Sequence, residues 1–381
     1  MKLKNYIYGV ALGAFALTVA SCYNADKEFP DYEEGTTAYF AYQFPVRTLV
    51  LGNDIYDNSL DNAHKCRIWA TMGGAYEGRD AVASIIVDET LCNDLYFTDA
   101  AGQKANQVLP LPHHYYNYDE LKNCKLSYNG DPRGYVEVKF EDAFFNDPKA
   151  IENTYVIPLL MTDISGIDRI LTGKLREGLV LSNTSRANLS DWDILAKDYV
   201  LYCVKYMNPW QGNYIRRGVD EVTEKGTTTK VVRKDFSLIN SDQERYTTNP
   251  VNANDEVCNI STKNMKQAIF PVSFQRKGAA SVACNLLLTF DDDNKCTIST
   301  DDANVTVTGS GEYITKGTER SEYADYQWGS MDGKLVQRDI LRLKYDVNFT
   351  DLNIQVSTAD TLVVRDRESN KKVFFSPMYI K

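Results

Sequence analysis

The chain has 381 residues, long enough for two domains with separate cores. Its formal charge is −10 at pH 7, from 52 acidic against 42 basic side chains. That balance argues against nucleic acid as a partner and against charge-driven attachment to an anionic membrane. Eight cysteines are present, with no CxxC pair and no metal-ligand spacing.

At the N-terminus, Lys2 and Lys4 form a short positive region, and Val10 to Ala20 an apolar stretch too short to span a bilayer. Val19-Ala20-Ser21-Cys22 follows. This order resembles a bacterial lipobox, whose small residues fit the lipoprotein signal peptidase and whose cysteine carries the lipid. The alternative is an ordinary secretory signal with a chance cysteine at its end. The lipobox reading makes residues 1–21 a signal peptide and Cys22 the site of lipid attachment, where several acyl chains give stable anchoring. Residues 22–36 then form an acidic tether: Asp26, Glu28, Asp31, Glu33 and Glu34 face only Lys27, with Pro30 and Gly35 among them. Acidic residues close behind a lipidated cysteine resemble the signal that sends Bacteroidetes lipoproteins to the cell surface. No later segment has the length and apolarity of a transmembrane helix. Membrane contact is therefore expected through the lipid alone, at the outer membrane and exposed on the cell surface.

Residues 37–175 read as short strands separated by Gly, Asn and Pro. Thr37–Phe44, Val46–Leu51, Cys66–Met72 and Ala83–Asp88 begin the set. Tyr135–Phe140 alternates cleanly, with Val136, Val138 and Phe140 on one face. Tyr155–Met161 is strongly apolar, and Pro158 within it predicts an edge or a bulge. The pattern predicts an immunoglobulin-like β-sandwich. Asp88–Asp94 and Asp142–Lys149 are the candidate helices.

Residues 176–198 are polar and turn-rich and read as a linker. Residues 199–381 show denser strand signals and read as a second all-β domain, a lipocalin-like antiparallel barrel or a second sandwich. Tyr199–Tyr206 is expected to open it. Ser281–Phe290 alternates, Asp291-Asp-Asp-Asn294 is a hairpin turn, and Val336–Val347 places Leu341, Leu343, Tyr345 and Val347 inward. Gly309-Ser-Gly311 reads as a turn. Cys203 and Cys284 sit at alternating positions in apolar runs and read as buried thiols. A disulfide such as Cys92–Cys124 is open to the chain outside the cytoplasm.

The sequence offers little catalytic chemistry. His64, His113 and His114 are its three histidines. The adjacent pair would point to opposite faces of a strand and makes a poor metal site. No nucleophile elbow, Cys/His signature or phosphate loop appears. Asp291–Asp293 is the nearest approach to paired glycosidase carboxylates, and a hairpin turn explains it with less. No catalytic residue, metal or cofactor is expected. The surplus is aromatic, with 25 tyrosines. A sugar site combines an exposed aromatic face with polar side chains. Met207-Asn208-Pro209-Trp210-Gln211-Gly212-Asn213-Tyr214 and Tyr323-Ala-Asp325-Tyr326-Gln327-Trp328-Gly329 have that composition, as does Asp191-Trp192-Asp193. The expected glycan-binding residues are Trp210, Tyr214, Tyr326 and Trp328, against the alternative that Trp210 plugs the end of a barrel.

The lipobox, the acidic leader, Ala38-Tyr-Phe-Ala-Tyr-Gln-Phe-Pro-Val-Arg-Thr-Leu-Val-Leu-Gly52, Thr71-Met-Gly-Gly74 and Asp198-Tyr-Val-Leu-Tyr-Cys-Val-Lys-Tyr-Met-Asn-Pro-Trp-Gln-Gly-Asn-Tyr214 together resemble surface lipoproteins of Bacteroidetes polysaccharide-utilisation loci. Their N-terminal domain, of unknown function, also precedes carbohydrate-binding or endoglycosidase modules. The likeness spans nearly all of the mature chain, without an endoglycosidase catalytic module. It implies a non-catalytic glycan-binding lipoprotein that captures oligosaccharide for an outer-membrane importer complex. The alternative is a structural or adhesion lipoprotein that binds protein partners.

Overall fold

The computed structural model describes residues 32–33, 35–75, 77–232, 256–317, 330–331, 334–335, 338–367, 369 and 372–380. The expected signal peptide, Cys22 and most of the tether lie outside these residues, as do Tyr326 and Trp328. The fold is all-β, with a sandwich followed by a closed eight-stranded antiparallel barrel. The barrel thus resolves the choice that the sequence left open.

The sandwich domain is built from β1 (Thr37–Tyr39), β2 (Pro45–Val50), β3 (Lys65–Gly73), β4 (Val82–Val87), β5 (Leu95–Thr98), β6 (Lys104–Gln107), β7 (Leu109–Pro110), β8 (Asn123–Ser127), β9 (Arg133–Lys139), β10 (Tyr155–Ser165), β11 (Arg169–Ile170), β12 (Lys174–Leu175), β13 (Trp192–Ile194) and β14 (Tyr199–Met207). One sheet has the order β11-β1-β3-β9, and the facing sheet runs β2-β14-β10-β4-β8. Every second residue of β3 and β9 points between them. Cys66, Ile68, Ala70 and Met72 meet Val136 and Val138, and the set packs on Ile85, Ile157 and Leu159. The two candidate helices are short turns, Glu89–Cys92 for the first and Asp142–Phe145 with Pro148–Ile151 for the second.

Pro158 does not mark an edge. Strand β10 is central, between β14 and β4. The Pro158 carbonyl accepts from the Asp88 N–H, beyond the end of the β4 ladder at Leu159. The missing N–H lies on the same side, opposite Asp88, so it forfeits only a bond at the very end of that ladder. The bulge falls a few residues on, between Met161 and Asp163.

The domain boundary at 199 also needs correcting. Strand β14 does not open the barrel; it fills the middle of the sandwich sheet, parallel to β2 and antiparallel to β10. Val200, Val204 and Tyr206 enter the core between the sheets. Tyr199, Leu201 and Cys203 enter a second core on the opposite face, with Trp192 and Phe375. A strand buried on both faces reads as a continuous apolar run, which explains the sequence of Tyr199–Tyr206. The 176–198 segment is not a free linker. Strands β12 and β13 pair, and Ala187, Trp192 and Ala196 are buried in that second core. The Trp192 indole donates to the Ser185 carbonyl at 3.2 Å.

The barrel begins with β15 (Gly212–Glu224), flanked outside the ring of eight by its hairpin partner β16 (Thr227–Val232), and continues with β17 (Glu256–Thr262), β18 (Gln267–Arg276), β19 (Ala279–Phe290), β20 (Lys295–Ser299) and β21 (Val305–Ile314). After the two-residue strands β22 (Ser330–Met331) and β23 (Lys334–Leu335) come β24 (Ile340–Phe349) and β25 (Ile354–Asp366). Strand β25 pairs back on β15 along nearly its whole length and closes the cylinder, which removes the open edges of the sheet. Leu341, Leu343, Tyr345 and Val347 are buried inside, as the alternation predicts. Gly309 and Gly311 do not form a turn. They lie mid-strand in β21, where a Cβ would sit 2.4 Å from Tyr345 Cβ and 2.4 Å from Leu343 Cδ2 respectively. Two glycines make room for the larger side chains of the neighbouring strand. The Asp291–Asn294 turn is as expected, with the Asp291 carboxylate accepting from the N–H groups of Asp293 and Lys295.

After the barrel the chain returns to the sandwich. Strand β26 (Val373–Phe374) pairs with β2 and β27 (Pro377–Tyr379) with β5. The barrel is thus an insertion between β14 and β26. Among the described residues no helix is long and apolar enough to cross a membrane.

Candidate ligand-binding face

The Met207–Tyr214 stretch joins sandwich to barrel, and its polar residues are used internally. Asn208 is fully buried. Its Nδ2 donates to the carbonyls of Asn264 (3.0 Å) and Gln267 (2.9 Å), and its Oδ1 accepts from the N–H groups of Trp210 and Gln211. The Gln211 side-chain oxygen accepts from the backbone N–H and the hydroxyl of Thr262. Arg367 ties the junction down from the end of β25. It donates to the carbonyls of Leu51, Asn53, Asn208 and Gln211 at 2.7–3.0 Å. Trp210 is 4% exposed and lies flat on Phe290, with ring centroids 3.8 Å apart and planes at 7°. Tyr214 is 1% exposed and donates its hydroxyl to the Trp210 carbonyl at 2.6 Å. Neither ring offers a face to a sugar, so Trp210 and Tyr214 are not stacking platforms. Trp210 closes one end of the barrel core, which was the alternative reading. The loop carries the polar composition of a lectin site because a buried junction must satisfy its own backbone groups.

The barrel interior holds a polar cluster that the sequence did not announce. Arg216, on β15, is fully buried. Its Nε donates to Asp360 at 2.9 Å, Nη1 to Glu256 at 3.1 Å and Nη2 to the Tyr345 hydroxyl at 3.1 Å. Tyr345 in turn donates to Asp360 at 2.8 Å, and Thr358 to Asp220 at 2.7 Å. A Cβ at Gly218 would sit 2.6 Å from the Asp360 carboxylate, so glycine there leaves space for it. Burial works against the Arg216 charge, but Tyr345, Asp360, Glu256 and Asp220 raise its pKa, and the cation persists. The guanidinium also lies 5.5 Å and 5.8 Å from the ring centres of Phe270 and Phe274. With its donors turned on protein groups, the cluster serves as internal structure.

The exposed aromatic chemistry lies elsewhere. On the outer face of the β11-β1-β3-β9 sheet, Trp69 of β3 and Tyr135 of β9 are directly opposite in the ladder. They are 46% and 40% exposed, with ring centroids 4.7 Å apart. The Arg67 guanidinium lies 4.3 Å from the Tyr135 ring centre, and that of Arg133 lies 5.6 Å from Trp69. Next along the strands, Glu137 accepts from Lys65 at 2.7 Å and pairs with Arg67 at 3.5 Å. The Lys65 ammonium holds the Glu137 carboxyl below its usual range. Thr71 and Arg133 form the next pair, and Tyr39 of β1 stands across from Thr71. Four successive cross-strand pairs, from Lys65–Lys139 to Thr71–Arg133, extend over about 20 Å at roughly 6.8 Å per pair of residues. Because Cys66, Ile68, Ala70 and Met72 anchor β3 in the core, the rings stand on a rigid sheet rather than on a mobile loop. The signal for Tyr135 was present in the Val136-Val138-Phe140 alternation, which turns Tyr135 outward. Trp69 was hidden, since its neighbours Ile68 and Ala70 are apolar and do not mark which face is wet.

The remaining candidates carry no site. His113 stacks on Tyr118 at 3.5 Å and contacts Glu89, at the surface as expected. Among the described residues no group of three metal-ligating side chains converges. The described cysteines, Cys66 onward, are free. Cys92 and Cys124 do not pair, because they lie on opposite faces of one sheet, Cys92 in the outer core and Cys124 against the inner one. Burial pushes Cys66, Cys92, Cys203, Cys258 and Cys296 up to about 12, which keeps them as inert thiols.

Sandwich, inserted barrel and exposed aromatic strip define a two-domain all-β protein. The family model described as a domain of unknown function (DUF5627) matches residues 209–368, the barrel, and a model of an N-terminal domain matches residues 32–168. A 2.40 Å crystal structure of a structural-genomics protein of unknown function from Bacteroides ovatus is 38% identical. It superposes with a TM-score of 0.75, covering 92% of this chain and 100% of that one. The chain belongs to the same family as this Bacteroides ovatus protein, and its barrel is the part that the DUF5627 model matches. No curated protein matches it.

Proposed function

We propose that the protein is a non-catalytic, cell-surface glycan-binding lipoprotein of a polysaccharide-utilisation system, and that sugar rings stack on Trp69 and Tyr135. The observation that carries this reading is the exposed Trp69–Tyr135 pair on a rigid sheet, bordered by charged donors and an acceptor. Sugar C–H groups pack on aromatic faces while hydroxyls bond to Arg67, Glu137 and Arg133. The lipobox at Val19–Cys22 supports attachment to the outer membrane, and the Bacteroides source of the related structure agrees with that setting. An outer-membrane importer complex would receive the captured oligosaccharide.

A glycan array with the chain from residue 37 tests the reading. Trp69→Ala should weaken binding tenfold or more, because one stacking platform contributes about 1–3 kcal/mol by analogy with nucleic-acid platforms. Its melting temperature should stay close to the parent, since the lost cross-strand pair contributes only about 0.2–1 kcal/mol. Unchanged affinity in both Trp69→Ala and Tyr135→Ala would remove this face from consideration. Cys22→Ala should release the full-length protein from the membrane fraction or leave its signal uncleaved. Normal membrane association with unchanged acyl labelling would dispose of the anchor.

A further inference from the structure

The charges around the platform are opposite in sign to the chain as a whole. Lys65, Arg67, Arg133 and Lys139 stand in two adjacent strands around Trp69 and Tyr135, against Glu137 and Asp131. Glu137 is already engaged by Lys65 and Arg67. The Arg133 Nε makes a long contact to Asp131 at 3.4 Å, with both side chains more than half exposed. Its fork of N–H groups is therefore open to a ligand lying on Trp69. Across the sheet the same sign continues, with the Lys197 ammonium 5.8 Å from the Tyr39 ring. The chain as a whole is acidic, with 52 acidic against 42 basic side chains.

We infer that the glycan taken by this face is anionic, a polysaccharide bearing carboxylate or sulfate groups. This inference rests on the stacking role given to Trp69 and Tyr135 and names the ligand class of that same face. A guanidinium presents parallel N–H donors that match a carboxylate or sulfate edge, and an exposed Arg loses little on exchanging an exposed Asp for such a ligand. Arg133 lies over the Trp69 ring as Arg67 lies over the Tyr135 ring, so each ring has its own guanidinium. A ring stacked on either one places its acidic substituent within reach of a cation. The negative remainder of the protein repels a polyanion and leaves this face as its favourable landing place.

The test is titration calorimetry with four probes: polygalacturonate, the same polymer fully methyl-esterified, chondroitin sulfate, and a neutral glucan. The parent, Arg133→Gln, Arg67→Gln and Trp69→Ala are compared at low and high salt. At least one acidic polymer should bind the parent, and the neutral two should bind tenfold or more weaker. Arg133→Gln should weaken the acidic polymer about tenfold, and raised salt should weaken it further. Polygalacturonate and chondroitin sulfate separate a carboxylate from a sulfate ligand. Stronger binding of a neutral polymer, lost in Trp69→Ala and unmoved in Arg133→Gln, overturns the anionic inference and leaves the stacking platform standing. Acidic binding that survives Arg133→Gln and Arg67→Gln also overturns it. Binding of no probe by the folded parent counts against both.

Discussion

Arg216→Ala should destabilise the barrel by about 3–5 kcal/mol, the range expected when one partner leaves a buried ion cluster. Asp360 is buried and would keep a carboxylate without its guanidinium. Tyr345 would lose the same partner, and Glu256 the guanidinium 3.1 Å from its carboxylate. Arg216→Lys should recover little of this. A single ammonium cannot reach Asp360, Glu256 and the Tyr345 hydroxyl at once from positions that a planar fork serves together. Urea and thermal unfolding of the full chain measure it. A melting curve for Arg216→Ala that overlays the parent would show that the cluster is not holding β15 to β24 and β25. Binding at Trp69 and Tyr135 should be unaffected in whatever fraction remains folded, because that face belongs to the sandwich.

Trp210→Ala should have an effect of similar size, about 3–5 kcal/mol, the usual range for removing a fully packed large aromatic. The indole covers Phe290 face to face and sits at the junction held by Asn208 and Arg367. Its Nε1 is buried and has no hydrogen-bond partner among the described residues. Trp210→Phe should therefore retain more stability than Trp210→Ala, since it keeps a ring on Phe290 and removes an unsatisfied donor. Glycan affinity should be the same in all three proteins below their melting transitions. A fall in affinity with an unmoved melting curve would return the binding site to the Trp210 loop. The contrast with Trp69→Ala is the useful one, because affinity should change there while stability does not.

Strand content, the sandwich core and the barrel interior were legible, because period-2 burial is a local property of a chain with one wet face. Val136, Val138, Leu341, Leu343 and Tyr345 needed no partner to be assigned inward. The Asp291–Asn294 turn was legible for the same reason, since its capping bonds close within five residues. Tyr199–Tyr206 was recognised as a strand but placed in the wrong domain. A run that is apolar on both sides says that a strand is central, not which sheet it joins.

The sequence by itself determined an all-β chain, its acidity and its supply of aromatic side chains, because these are local or additive properties. Only the tertiary structure decided which aromatics face water. Trp210 sits among Asn, Pro, Gln and Gly and is buried, because Asn208, Gln211 and Arg367 satisfy that junction from within. Trp69 sits between Ile68 and Ala70 and is exposed, because β3 has one face on the core and, among the described residues, no layer over Trp69 on the other. Exposure depends on what another part of the chain places over a side chain, and that follows from the pairing of β3 with β1 and β9 and from Phe290 reaching Trp210 across the barrel.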